Sequence, residues 1–185
     1  MSNGNDNLYP DCPVINRTVE IGGLTKSELI QKLQQYSVLM NESAERLFAD
    51  DKFSTSDTKY IVQTVELTVR DLGFPDGATM NEIFNRATDL GLALCPLELA
   101  PHLRLAYLDQ PEGYLGHPLT QHQAPSGSIT IASAMLTEDD DFPKGFYLRR
   151  IHGLLWLRGY RADHLQHLWN PDDHFIFCQS KEPIT

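Results

Sequence analysis

Residues 94–111 read LCPLELAPHLRLAYLDQP, and the fold turns on how that stretch is parsed. Upstream of it apolar residues recur at helical spacing. Downstream, short apolar runs alternate with Gly/Pro turns. The stretch itself gathers Cys95, Glu98, His102, Arg104, Asp109 and Gln110, a dense mix of reactive side chains. Leu103 and Leu105 flank Arg104 in alternation, which predicts a strand over 103–107 with Arg104 on the face opposite the leucines. Pro96 and Pro101 bound a short turn carrying Glu98, and Asp109-Gln110-Pro111 ends the strand with turn chemistry. On this reading the stretch joins a helical half to a strand-rich half.

Working back from it, Thr79 with Glu82 forms a capping box, Ile83, Ala87 and Leu90 make the buried face of a helix, and Gly91 stops it. Residues 72–77, LGFPDG, are a turn. Residues 60–71 are rich in β-branched side chains and read as a strand. Further upstream Thr25 and Glu28 form another capping box, followed by Leu29, Leu33, Tyr36, Met40, Ala44 and Leu47 at steps of three and four. That stripe predicts one amphipathic helix running to about Phe48. Working forward, strands are expected at 128–136, 145–149, 154–157 and 174–178, with His152-Gly153 as a hairpin turn. The sum is an α+β fold: an N-terminal helical layer packed on one face of a mainly antiparallel sheet formed largely by the C-terminal half. A single domain spans 24–180, with a helix-rich half at 24–100 and a strand-rich half at 101–180. Polar tails occupy 1–23, with a short extended piece at 18–21, and 181–185.

Twenty-five acidic against fifteen basic side chains give a formal net charge of −10, which repels phosphate backbones and argues against a nucleic-acid partner. The same charge disfavours reading residues 79–94 as part of a winged-helix DNA reader. Cys12, Cys95 and Cys178 stand at unrelated spacings with no CxxC, so neither a disulfide framework nor a zinc ribbon is encoded. Free thiols, with no basic and apolar leader in MSNGNDNLYPDC, point to the cytoplasm. No apolar run approaches the ~18 residues of a membrane span. Dinucleotide, P-loop and serine-hydrolase signatures are absent, so no cofactor is implied.

The run Leu72-Gly73-Phe74-Pro75-Asp76-Gly77-Ala78-Thr79, then Glu82-Ile83, Gly91-Leu92, Leu94-Cys95-Pro96 and Glu98, resembles a family of uncharacterised bacterial proteins. The likeness continues through Leu103-Arg104-Leu105, Tyr107 and Asp109-Gln110-Pro111. It covers residues 60–111 closely and fades beyond. It implies that the region folds as one unit and brings no established activity with it. After the DQP step this chain has Gly113-Tyr114-Leu115 where the family pattern starts with Gly-Glu-Trp.

Three groups of side chains compete for a functional role. Glu98, Arg104, Asp109 and Gln110, with Trp156, suit a groove at the helix/sheet junction, where Arg104 held by a carboxylate would read an anion. An ion pair tying the two halves together explains the same charges. Cys95 ahead of Pro96, with His102 as base, suits a thiol nucleophile, while a small buried hydrophobe explains Cys95 equally. His164 and His167, with His174 and Asp163 nearby, suit metal ligation if they share a helix face. The groove reading leads: a binding module for a small molecule or a protein segment. An enzyme of hydrolase or transferase type, using Cys95/His102 or the histidine cluster, is the alternative.

Overall fold

A computed structural model describes residues 14–113, 124–162 and 166–179. In chain order the elements are β1 Ile15–Ile21, α1 Lys26–Gln35, β2 Leu39–Met40, α2 Glu42–Ala49, β3 Tyr60–Thr68, β4 Ala78–Thr79, α3 Met80–Asp89, β5 Leu92–Ala93 and α4 Leu99–Ala106. They continue as β6 Ile129–Ile131, β7 Gly145–Ile151, β8 Leu154–Tyr160, β9 Leu168–Trp169 and β10 His174–Gln179. The fold is α+β. Its main sheet has eight strands in the order β1-β3-β10-β6-β7-β8-β2, with β5 pairing the far end of β10. Most pairings are antiparallel, but β10/β6 and β2/β8 are parallel. The sheet therefore draws strands from the whole chain, and β1 uses residues that read as tail.

The centre of the sheet is buried on both faces, and successive side chains of a strand there point into different cores. In β10, Ile176 and Cys178 join a core formed with Leu29 and Leu33 of α1, Leu47 and Phe48 of α2, and Leu99 and Leu103 of α4. Phe175 and Phe177 turn to the other face and pack with Met80, Ile83 and Ala87 of α3. A strand covered on both sides needs a continuous apolar run, and residues 175–178 supply one. So α3 adds a second layer behind the sheet to the helical layer in front.

Both capping boxes form. Glu28 N–H donates to Thr25 Oγ1 at 3.1 Å, and Thr25 N–H to Glu28 Oε1 at 3.2 Å. The Thr79/Glu82 pair does the same at the start of α3. The hairpin turn between β7 and β8 falls at His152 and Gly153, whose φ values of 52° and 73° match the two-residue turn that strand twist favours.

The strand expected over 128–136 is limited to Ile129–Ile131, and two expectations about helices are also corrected. The helix from Thr25 does not run to Phe48. Ser37 takes φ 57°, the Val38 N–H donates back to Leu33 O, and the chain leaves the helix in a C-terminal cap of the Schellman type. Leu39 and Met40 then add to β8 as β2, and Asn41 caps α2 through its Oδ1, which accepts from Ala44 N–H at 2.9 Å. Residues 103–107 are not a strand. Leu99, Leu103 and Ala100, Arg104 are two i, i+4 pairs, so all four share the buried side of α4.

Candidate functional site

Redrawing residues 99–106 as a helix moves Arg104 from a solvent-facing position into the core, where it is 0% exposed. Its Nη1 donates to Gln110 Oε1 at 2.6 Å and to Trp156 O at 3.2 Å, and its Nη2 donates to Tyr107 O. Gln110 in turn donates from Nε2 to Gly127 O at 3.0 Å and Leu148 O at 3.1 Å. No carboxylate reaches this guanidinium among the described residues. Burial pulls its pKa down to about 10, still far above neutrality, so it remains charged. The pair is a polar pin between α4, β7, β8 and the segment around Gly127.

The remaining residues of the opening stretch separate. Glu98 is buried, accepting from Tyr60 Oη–H at 2.7 Å and from Ser56 N–H at 3.0 Å. Asp109 is exposed. His102 Nε2 accepts from Gly22 N–H at 3.1 Å, and burial lowers its pKa. Cys95 Sγ donates to Ile176 O at 3.5 Å and lies against the Cys178 thiol, with burial pushing its pKa well up. The hydrogen bonds of Cys95 and His102 thus go to different partners. Of the histidine group, His164 lies outside the described residues, as does Asp163. His167 rests edge-on to Trp169 with ring centroids 5.0 Å apart, and His174 pairs with Glu66. No group of three His, Cys, Asp or Glu side chains among the described residues is placed to hold a metal ion.

Two clefts flank the segment at Ala124, Pro125 and Ser128, which lines both. The first, about 430 Å³, opens where α4 hands over to the sheet and includes Tyr107, Gln110, Glu112, Glu66, Asp173 and His174 in its lining. Glu66 comes from the middle of the sheet, where it is 5% exposed. Its Oε1 accepts from Arg17 at 2.7 Å and its Oε2 lies 2.9 Å from His174 Nδ1. Burial raises the Glu66 pKa, but the bonds from His174 and Arg17 outweigh it and hold the carboxyl below its ordinary range. The bond to Glu66 raises His174 against the opposing effect of burial. Asp173, next along, accepts from Asn170 N–H at 2.9 Å and Ala124 N–H at 3.2 Å, yet burial still lifts it to about 6. Sequence reading missed Glu66. It sits between Val65 and Leu67 in a strand, and the one available signal was a charge inside an otherwise β-branched and apolar run.

The second cleft, about 310 Å³, lies across the segment at 124–128, over the faces of β7 and β8 that carry Tyr147, Arg158 and Tyr160, and it also meets Trp169. Trp156 lies on this side of the sheet, where its ring supports Arg158, with the guanidinium carbon 4.8 Å from the ring centroid. Compared with known protein families, characterised proteins and solved structures, the chain matches none.

Proposed function

We propose that the protein is a binding module for a small polar molecule, held in the 430 Å³ cleft at the helix/sheet junction. The observation that supports this is the convergence of fixed ionisable groups on a hollow of metabolite size: Arg17 holds Glu66, Glu66 orients His174, and Gln110 is locked by Arg104. Sites of this kind combine a concave apolar wall with a few polar groups held rigidly. Among the described residues four carboxylates line the cleft, from Glu66, Glu112, Asp172 and Asp173, and no Lys or Arg does. A ligand bearing an amine or several hydroxyl donors fits that lining better than an anion. Of the residues proposed from sequence, Gln110 lines the cleft, Arg104 stands behind it as a positioning residue, and Glu98, Asp109 and Trp156 are not in its lining.

The test is a screen of small amines, amino sugars and polyols by protein-observed NMR, following the His174 imidazole and the Gln110 side-chain amide. A hit that moves both resonances, and that His174→Ala weakens at least tenfold, supports the reading. If no compound moves either resonance at millimolar concentration, or if hits are indifferent to His174→Ala, the reading fails.

A further inference from the structure

The second cleft has the opposite chemistry to the first. Among the described residues its lining contains Arg158 and Arg161 and no Asp or Glu, in a chain with twenty-five acidic and fifteen basic side chains. Neither arginine has a carboxylate partner among the described residues, whereas Arg17 and Arg70 do. An arginine left unpaired in an acidic protein is usually a solvated surface charge, but Arg158 is held in place. Its Nε donates to Tyr147 Oη at 2.7 Å, and its guanidinium stacks over Trp156. Those contacts use one edge and one face of the fork, and among the described residues the terminal N–H groups have no hydrogen-bond partner. The β7/β8 register puts Arg149 opposite Trp156 and Tyr147 opposite Arg158, so a second guanidinium sits diagonally from Arg158 on the same face. Two like charges side by side, with no counter-charge among the described residues, is a cost that an anion would relieve.

A separate observation comes from Trp169. It is 5% exposed and lines the same cleft, and its indole N–H has no hydrogen-bond partner. A buried donor left unmade costs on the order of 1–3 kcal/mol, so such groups call for an explanation. The ring is rigidly set: β9 pairs with β4 at Ala78↔Trp169, and the indole meets Tyr160 edge-on at 5.6 Å and Phe175 at 4.9 Å. An acceptor in the cleft would satisfy this donor and the Arg158 fork together.

We propose that this second cleft is an oxyanion-binding site that takes a small organic anion, its charged group on Arg158 and the Trp169 indole N–H, its flat body against Tyr147 and Tyr160. This site is independent of the one proposed above, and either can fail alone. The experiment follows the Trp169 indole resonance in ¹H–¹⁵N spectra. The chain has two tryptophans, so Trp156→Phe assigns the signal. The probes are phenyl phosphate, benzoate and inorganic phosphate. The expected result is a saturable downfield shift with phenyl phosphate or benzoate, stronger than with inorganic phosphate, and weakened about tenfold or more by Arg158→Gln. Arg161→Gln, at an exposed position, gives a smaller loss and guards against Arg158→Gln failing to fold. Which of the two aromatic probes binds tighter separates phosphate from carboxylate as the charged group. No shift with any probe, a shift with inorganic phosphate alone, or shifts insensitive to both variants would overturn the proposal.

Discussion

Replacing Arg104 by Met tests the central structural claim, that a buried arginine without a carboxylate pins the helical layer to the sheet. Methionine keeps most of the unbranched stem and removes the donors. The three nearer acceptors of Arg104, Gln110 Oε1, Trp156 O and Tyr107 O, then lose this donor, and so does Arg149 O at 3.5 Å. Each orphaned buried acceptor costs roughly 1–3 kcal/mol. Against this stands the relief of no longer holding a desolvated charge, which the lowering of the Arg104 pKa by burial makes visible. Three losses less that relief leave a net destabilisation of about 3–5 kcal/mol. For a chain of 185 residues that is a drop of roughly 10 °C in Tm. The assay is urea unfolding with the midpoint and slope fitted separately. Adding Gln110→Leu removes one orphan, so the double variant should lose less than the sum of the singles. An Arg104→Met protein within ~1 kcal/mol of the parent, or strictly additive singles, would refute the account of Arg104 as a pin.

The pair at Glu66 and His174 predicts a pH signature. His174 lies above its ordinary 6.5, so its stabilisation is full below that pH and fades as pH rises through its folded value. Glu66 lies below its ordinary 4.5, so its stabilisation is present above that pH and fades as pH falls through its folded value. NMR titration of Glu66→Gln should find the His174 midpoint moved down; an unmoved midpoint would remove Glu66 as the cause. Asp173 runs the other way: with its folded pKa near 6 against an ordinary 3.8, it lowers stability as pH rises between those values, and a carboxyl titration centred near 6 checks it. Gly159→Ala should destabilise by about 1–3 kcal/mol, read by thermal melt, because the added Cβ would stand 2.7 Å from Ser43 C and 2.8 Å from Ala44 N of α2. Cys95 should resist a thiol reagent in the native protein and react on unfolding, since its thiol is buried and raised in pKa.

The elements whose signals are local were legible. A capping box is written within four residues, and both Thr25/Glu28 and Thr79/Glu82 close as the sequence indicates. The turn at His152-Gly153 is set by two residues. The β-branched run starting at Tyr60 gives β3. Where period and length compete, the reading failed. Leu103-Arg104-Leu105 alternates over three residues, too few to tell a period of two from 3.6, and the pairs Leu99/Leu103 and Ala100/Arg104 decide for the helix only once the core around them is known. The stripe from Leu29 to Leu47 keeps helical spacing across a break at Ser37 because α1 and α2 bury apolar residues in the same core. Asn41 was a readable N-cap inside that stripe, but nothing local shows Ser37 adopting a left-handed turn.

The candidate sites were harder to read for a related reason. Charged residues attract attention by their chemistry, yet burial decides what they do, and burial is a property of the assembled sheet. Arg104 and Glu98 looked like ligand-binding groups and are internal ties. Glu66, in an apolar-looking strand, and Trp169 are the ones that sequence reading passed over and that line the clefts. Their partners lie far off in sequence: Arg17 is 49 residues from Glu66, and His174 is 108. Glu66 meets His174 where β3 joins β10, and Arg158 meets Tyr147 across the β7/β8 hairpin. The segment at 124–128 divides the two clefts and places an acid-lined hollow beside a base-lined one. Because Ala124 donates to Asp173 on one side and lines the arginine cleft on the other, occupation of either hollow bears on the same backbone. If both proposals hold, an anion on Arg158 should shift the Asp173 titration, and an unchanged Asp173 midpoint with the anion bound would show the two hollows to be uncoupled.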